Sequence, residues 1–141
     1  GHAFGRIGCF SAGCCWGTEC KLPWGVSFTN EYARSVTGIP LHVIRHPVQL
    51  YESFLNFLNF FILFVVLRKK KFDGQVFFLY IIKYSIIRYV TEFFRGDYES
   101  NTYLIQSGSP YTSISFPQLF SLVGIAVALI LFFILKKKKN A

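Results

Sequence analysis

The chain has 141 residues, of which 52% are hydrophobic and 19% aromatic, yet its net charge is +8. A soluble domain of this size buries a core without apolar runs about 20 residues long. Such runs here, with a mean hydropathy of +0.40, speak against that class. The charge does not point to nucleic acid either. Eight of the fifteen basic residues fall in two runs, 68–71 and 136–139, each directly after an apolar segment, where positive-inside topology signals belong. There is no methionine, and Gly1-His2-Ala3-Phe4 opens the chain without a charged leader. The expectation is therefore the back part of a longer protein.

Residues 1–17 are rich in glycine and cysteine, and read as the end of a membrane helix or a re-entrant segment. The Gly1/Gly5 and Gly13/Gly17 pairs would let membrane helices approach closely. Residues 18–48, with Pro23, Pro40 and Trp24, read as an irregular region at the outer interface, where tryptophan is at home. Three segments then have the length of a span: 49–67, 75–94 and 116–135. Strands are excluded for them, because an open sheet edge leaves backbone groups unsatisfied in lipid and the runs do not alternate. The fold class expected is an all-α integral membrane protein. It would be a multi-span helical bundle with an irregular outer-face segment, one membrane domain over 1–141 whose N-terminal spans are missing. With the basic loop 68–73 and the tail 136–141 cytoplasmic, residues 1–48 and 95–115 face outward. Those two loops balance Arg6, Lys21, Arg34, Arg45 and Arg95 against Glu19, Glu31, Asp97 and Glu99.

The second span carries Lys83, Arg88 and Glu92, and Arg95 ends it. Ionisable groups inside a span cost about 2.5–3.5 kcal/mol each on insertion scales, so they need a reason to be there. Arg88, Glu92 and Arg95 at i, i+4 and i+7 would share one helical face, two guanidiniums flanking a carboxylate, suited to holding a phosphate. An interhelical salt bridge with snorkelling is the plainer reading, and suffices for Lys83. Arg6, between Gly5 and Ile7, is either a headgroup ligand or an interface anchor. The stretch Arg45-His46-Pro47-Val48-Gln49-Leu50-Tyr51-Glu52 leads into the first span. There Pro47 suits a first turn, Gln49 and Glu52 lie near the helix start, and His46 is a base, a headgroup ligand or a structural histidine. Cys9, Cys14, Cys15 and Cys20 have a C-x4-C-C-x4-C spacing that matches neither a zinc pair nor a thioredoxin motif. Small packing residues are the plainer reading for them.

Four stretches, GRIGCFSAGCCWG, PWGVSF, RHPVQLYE and IIRYVTEFFRGD, in this order and spacing, resemble the prolipoprotein diacylglyceryl transferase family. The likeness runs from about His2 to the lysine tail. It implies a bacterial plasma-membrane enzyme that moves the diacylglyceryl group of phosphatidylglycerol onto the lipobox cysteine thiol of a prolipoprotein, leaving glycerol 1-phosphate. By that pattern Arg6 matches the phosphatidylglycerol-binding arginine and Gly17 the glycine closing the signature. Arg88 matches the essential arginine of the later motif, with Glu92 and Arg95 its partners. His46, Gln49 and Glu52 fit the H-P-x-Q-L-Y-E stretch on the substrate side. The partners implied are phosphatidylglycerol, prolipoprotein signal peptides with a lipobox cysteine, and the bilayer, with no nucleic acid, cofactor or metal. The usual signature reads GRxGNFxNGE, and Cys9 and Cys14 replace its asparagine and glutamate, so neither the amide nor the carboxylate is supplied here. This marks a divergent branch. The family's front half, with further spans and a histidine-glycine motif, is not matched by His2, His42 or His46.

Two other classes remain open on the sequence. One is a membrane thiol-redox or metal-handling protein working through Cys9, Cys14, Cys15 and Cys20. The other is a lipid-binding membrane subunit without catalysis.

Overall fold

The computed structural model describes residues 1–96, 103–105 and 114–140. Asp97 and Glu99, counted above with the outer loop, lie outside the described residues. Among the described residues, five helices and four short strands follow in the order α1 (His2–Ala12), β1 (Val26–Ser27), α2 (Glu31–Thr37), β2 (Ile44–Arg45), α3 (Val48–Arg68), α4 (Gln75–Glu92), β3 (Tyr103–Ile105), β4 (Ile114–Ser115) and α5 (Phe116–Asn140). Local sequence explains most of the boundaries. Gly13 ends α1 in the left-handed region at φ 70°, while the Cys14 N–H donates back to the Cys9 carbonyl at 3.1 Å, the usual way a glycine stops a helix. Asn30 caps α2 by accepting from the Tyr32 and Ala33 N–H groups, and Gly38 closes it. Pro47 stands just before α3, and Ser115 just before α5. The Ser115 Oγ accepts from the Gln118 N–H, while Gln118 Oε1 accepts from the Ser115 N–H. That reciprocal pair is a capping box.

The helices pack in sequence: α1 on α3, α3 on α4, and α4 on α5. α3 is turned inside out. Its buried face is Gln49, Glu52, Ser53, Asn56, Asn59 and Leu63, a stripe at helical spacing. Its outward face presents Phe54, Leu58, Phe60, Phe61 and Phe64. α5 repeats the arrangement, with Gln118 and Ser121 buried while Phe120, Ile130 and Phe133 face out. The helices at 48–68 and 116–138 are long and apolar enough to cross a membrane, with only 22% and 17% of their most apolar windows buried. A helix from a soluble core would show the reverse.

Residues 75–94 form a helix over most of that range, but its three charges keep it out of the same class. The helix ends at Glu92 rather than Phe94. Its last carbonyls are taken at i−3 spacing, from Phe93 to Val90, Phe94 to Thr91 and Arg95 to Glu92, so the final turn tightens and stops. The α3–α4 turn brings Lys70, Lys71 and Asp73 beside Leu135 and Lys138 around one hollow. Both basic runs therefore sit at the same end of the bundle. The two-stranded sheet of β1 and β2 pairs Val26 with Arg45 and Ser27 with Ile44.

Small residues set the α4–α5 distance. Gly124 lies against Ser85, a Cβ placed there would come within 3.3 Å of the Ser85 Oγ, and Ala128 one turn further on is buried. The Gly1/Gly5 pair makes no such contact. A Cβ at Gly5 would meet nothing within 4 Å, and Gly13 is used as a helix cap. Replacing Gly124 by leucine is expected to push α4 and α5 apart and destabilise the fold by about 1–3 kcal/mol. Thermal unfolding in detergent measures it, and an unchanged midpoint would mean that this contact does not hold the pair together.

Candidate functional site

The charges that α1, α3 and α4 bury converge on one carboxylate. Glu52 is buried on the inward stripe of α3. Its Oε2 pairs with Arg6 Nε from α1, and its Oε1 accepts from Arg88 Nη1 at 3.2 Å and from the Thr91 hydroxyl at 2.9 Å, both on α4. Arg88 extends the network, its Nη2 lying 3.1 Å from Glu92 Oε2, an ion-pair contact that is off-line for a hydrogen bond. Glu92 is in turn held by the Ser115 hydroxyl, which donates to its Oε1 at 2.8 Å. Three helices and the residue that precedes α5 are thus tied together, through carboxylates that are buried and arginines that are largely so. Buried charges persist when they are paired, and the alternation Arg6, Glu52, Arg88, Glu92 sets each charge beside an opposite one. Arg6 meets Glu52 through Nε, and Arg88 meets it through Nη1. Two or more donors in a plane fit a phosphate or carboxylate.

A second layer fixes the segment between α1 and α2. Thr18 donates to the Phe94 carbonyl, His46 to Thr18, Cys20 to Ile44 and Gly96 to Trp16, at 2.9–3.0 Å, so residues 16–20 run as an extended strip between 44–46 and 94–96. Only glycine fits at two places in it. A Cβ on Gly17 would lie 2.4 Å from the His46 carbonyl oxygen, and one on Gly96 2.7 Å from that of Gly17. Arg45 locks the strip from the side. It is buried, stacks 4.6 Å over the Trp16 ring, and donates to the Gly17 carbonyl at 3.1 Å. Gln49 holds its start by donating to the Cys14 carbonyl at 2.7 Å.

Comparison with known proteins decides the family. The prolipoprotein diacylglyceryl transferase family model matches residues 1–134. The chain belongs to the prolipoprotein diacylglyceryl transferase family. A phosphatidylglycerol–prolipoprotein diacylglyceryl transferase of Clostridium tetani is 43% identical over 106 residues, covering 75% of this chain and 41% of that protein. One of Wolinella succinogenes is 34% identical over 141 residues, 99% of this chain and 45% of that protein. One of Campylobacter lari is 41% identical over 96 residues, 67% of this chain and 31% of that protein. The chain thus spans less than half the length of these curated relatives. No solved structure matches.

Of the residues singled out by the diacylglyceryl transferase resemblance, Arg6, Glu52, Arg88 and Glu92 are brought into one network. Arg95 is not on a helical face with Arg88 and Glu92, because α4 has already ended. It is buried and bridges Gly17 across the extended strip. Gly17 and Gln49 serve the backbone of that strip. His46 stands apart from the carboxylates, its Nδ1 3.3 Å from the Tyr51 hydroxyl and its ring against Phe94. Tyr51 also accepts from Trp24 Nε1 at 2.9 Å. Arg45, Thr91 and Ser115 were not among the site residues expected. Ser115 had a usable signal, the Ser-x-x-Gln spacing before an apolar run, and Thr91 lies one turn after Arg88. Nothing local distinguishes Arg45 from a loop charge.

Cys9, Cys14, Cys15 and Cys20 are all free thiols. A redox cysteine works as a thiolate, favoured by a lowered pKa, whereas Cys14 is pushed the other way, up to about 12, first by burial and then by Cys15 and Cys9. Its raised pKa keeps the thiol protonated until the pH approaches that value. In the metal-free protein Cys14 is therefore expected to resist a thiolate-selective alkylating reagent at pH 8. Mass spectrometry of the labelled peptide checks this, and rapid Cys14 labelling at pH 8 contradicts it. For the charge network, Glu52→Gln takes the carboxylate from Arg6 and one of two carboxylates from Arg88, and should cost about 3–5 kcal/mol. Glu31→Gln, at an exposed pair with Arg34, should cost nothing measurable. Parallel unfolding curves in detergent separate the two.

Proposed function

We propose that this chain carries the headgroup site of an enzyme that transfers the diacylglyceryl group of phosphatidylglycerol to the lipobox cysteine thiol of a prolipoprotein. The observation carrying this reading is the sharing of Glu52 by Arg6 and Arg88 from different helices. It holds two guanidiniums side by side, one on each carboxylate oxygen. In the reaction a C–S bond forms at the glyceryl carbon while the bond from that carbon to the phosphate oxygen breaks. The thiol loses its proton, and the phosphate departs as glycerol 1-phosphate. Negative charge grows on the leaving phosphate, and pre-positioned guanidiniums stabilise it without reorganising. Glu52, engaged by two arginines and a hydroxyl, acts as their orienting group rather than as a base. Glu92 does the same for Arg88. Arg95 and Gly17 position the strip that carries the signature.

The setting proposed is a multi-span helical bundle in the bacterial plasma membrane. α3, α4 and α5 are the spans, the loop 68–73 and the tail are cytoplasmic, and the charge network lies toward the opposite face. Support comes from the inside-out α3 and α5 and from both lysine runs lying at one end. Lys83 and the network charges on α4 are then the ionisable groups that a span tolerates when they face the bundle interior.

The deciding assay uses the full-length protein in membranes with labelled phosphatidylglycerol and a lipobox peptide. Arg88→Ala is expected to lower transfer at least about 100-fold, while serine at the four cysteines leaves it largely intact. Arg6→Lys keeps the charge but loses the fork, and is expected to weaken lipid use more than Cys20→Ser does. Absence of labelled peptide from a folded full-length protein would sink the transferase reading. For the topology, Lys70→Cys and Lys137→Cys in a background lacking the native cysteines should both resist a membrane-impermeant maleimide in intact cells. Labelling of either from outside would reverse the orientation.

A further inference from the structure

We propose that Cys9, Cys14 and Cys15 form a three-thiolate site for a soft d10 cation, Cu(I) being the ion it fits best. The Sγ atoms of these three residues all lie within 4.8 Å of one another, and each is half-buried. The backbone brings them together without help from an ion. Cys9 sits in the last turn of α1, Gly13 reverses the chain in the left-handed region, and Cys15 turns it again at φ 60°. The frame is then held from both sides, by the Cys14 N–H on the Cys9 carbonyl and by Gln49 on the Cys14 carbonyl.

An ion centred among three thiolates at about 2.3 Å sets the sulfurs about 4 Å apart, so less than about 1 Å of closure is required. The donor set decides which ion. It holds sulfur alone: no histidine or carboxylate belongs to the group among the described residues, which disfavours hard cations and favours thiophilic ones. Cys20 is no part of it, lying instead against Gly25 and Ile44. Zinc asks for a fourth ligand, whereas Cu(I) is satisfied by three. Coordination releases the three thiol protons and leaves a cluster of net charge −2. Arg6 lies within electrostatic reach of Cys15 and Cys9, and Arg95 of Arg6, so the added charge falls beside cations. The site is local, with its three ligands in seven residues, and closing so short a chelate costs little chain entropy.

This inference does not rest on the transfer reaction, and its test reads no activity. The full-length protein in detergent, kept anaerobic, is titrated with Cu(I) against a chromophoric competing chelator. One equivalent is expected to bind, and serine at Cys9, Cys14 or Cys15 should each weaken binding by at least about 10–100-fold, with Cys20→Ser unchanged. Far-UV circular dichroism accompanies each variant. Should a serine variant lose its helix signal, X-ray absorption of the wild-type copper complex decides, a sulfur-only first shell being the expected result. Nitrogen or oxygen ligands in that shell would overturn the proposal. So would a Cys20→Ser loss equal to the others, or preferential binding of Zn(II) with Cu(I) displaced.

Discussion

Glu52 is a single buried carboxylate shared by Arg6 and Arg88, and the arrangement of the helices around it follows from keeping that charge compensated. Two guanidiniums from α1 and α4 converge on it because a carboxylate this deeply buried is costly unless it is paired. Thr91 takes up a remaining lone pair, and Glu92 balances the second arginine. Each added charge creates the need for the next, until the chain of partners ends at the Ser115 hydroxyl on the threshold of α5. Such a network adds less to stability than its short distances suggest, since desolvation offsets most of the attraction. What it does supply is position, since α1, α3, α4 and the residue that precedes α5 must meet in register for these groups to pair.

The inversion of α3 and α5 follows from a different constraint, the medium that their outer faces meet. A helix surrounded by water hides phenylalanine and shows asparagine, whereas α3 hides Gln49, Ser53, Asn56 and Asn59 and shows Phe54, Phe60 and Phe61. Where the surroundings are apolar, hydrophobic residues gain nothing by turning inward, and packing is left to hydrogen bonds and small residues. The Ser53 hydroxyl on the Ala3 carbonyl and Gly124 against Ser85 are the form this takes here. A polar interior thus exists without first having to be cut into a hydrophobic core.

Much of this was legible in the residues, and the failures have physical causes. The long apolar runs gave helices near 49–67, 75–94 and 116–135 because little else satisfies the backbone in such segments. Arg88 and Glu92 were placed together correctly, since i,i+4 spacing within a helix is a rigid ruler. The ruler failed at Arg95 because the final turn of α4 tightens at 93–95, and no local propensity announced it. The pairing of Arg6 with Glu52 spans 46 residues and could not be measured from spacing at all. The same holds for Arg45, whose partners Trp16 and Gly17 are near only after residues 16–20 have been threaded between 44–46 and 94–96. Long-range pairing of short extended strips is the part of a fold that sequence periodicity encodes least.

The cysteines at positions 9 and 14, where the family resemblance leads one to expect asparagine and glutamate, can be understood from the same frame. Gln49 grips the carbonyl of residue 14, and the N–H of residue 14 grips the carbonyl of residue 9, so the turn after α1 is built from main-chain groups. Side chains at those positions are therefore free to change without moving Arg6, whose orientation comes from Glu52 across the helix pair. A small thiol fits where the backbone already fixes the path, and once two are there, a third at Cys15 falls within reach because the chain must turn back on itself. Three sulfurs in one place are then a by-product of how the turn is made.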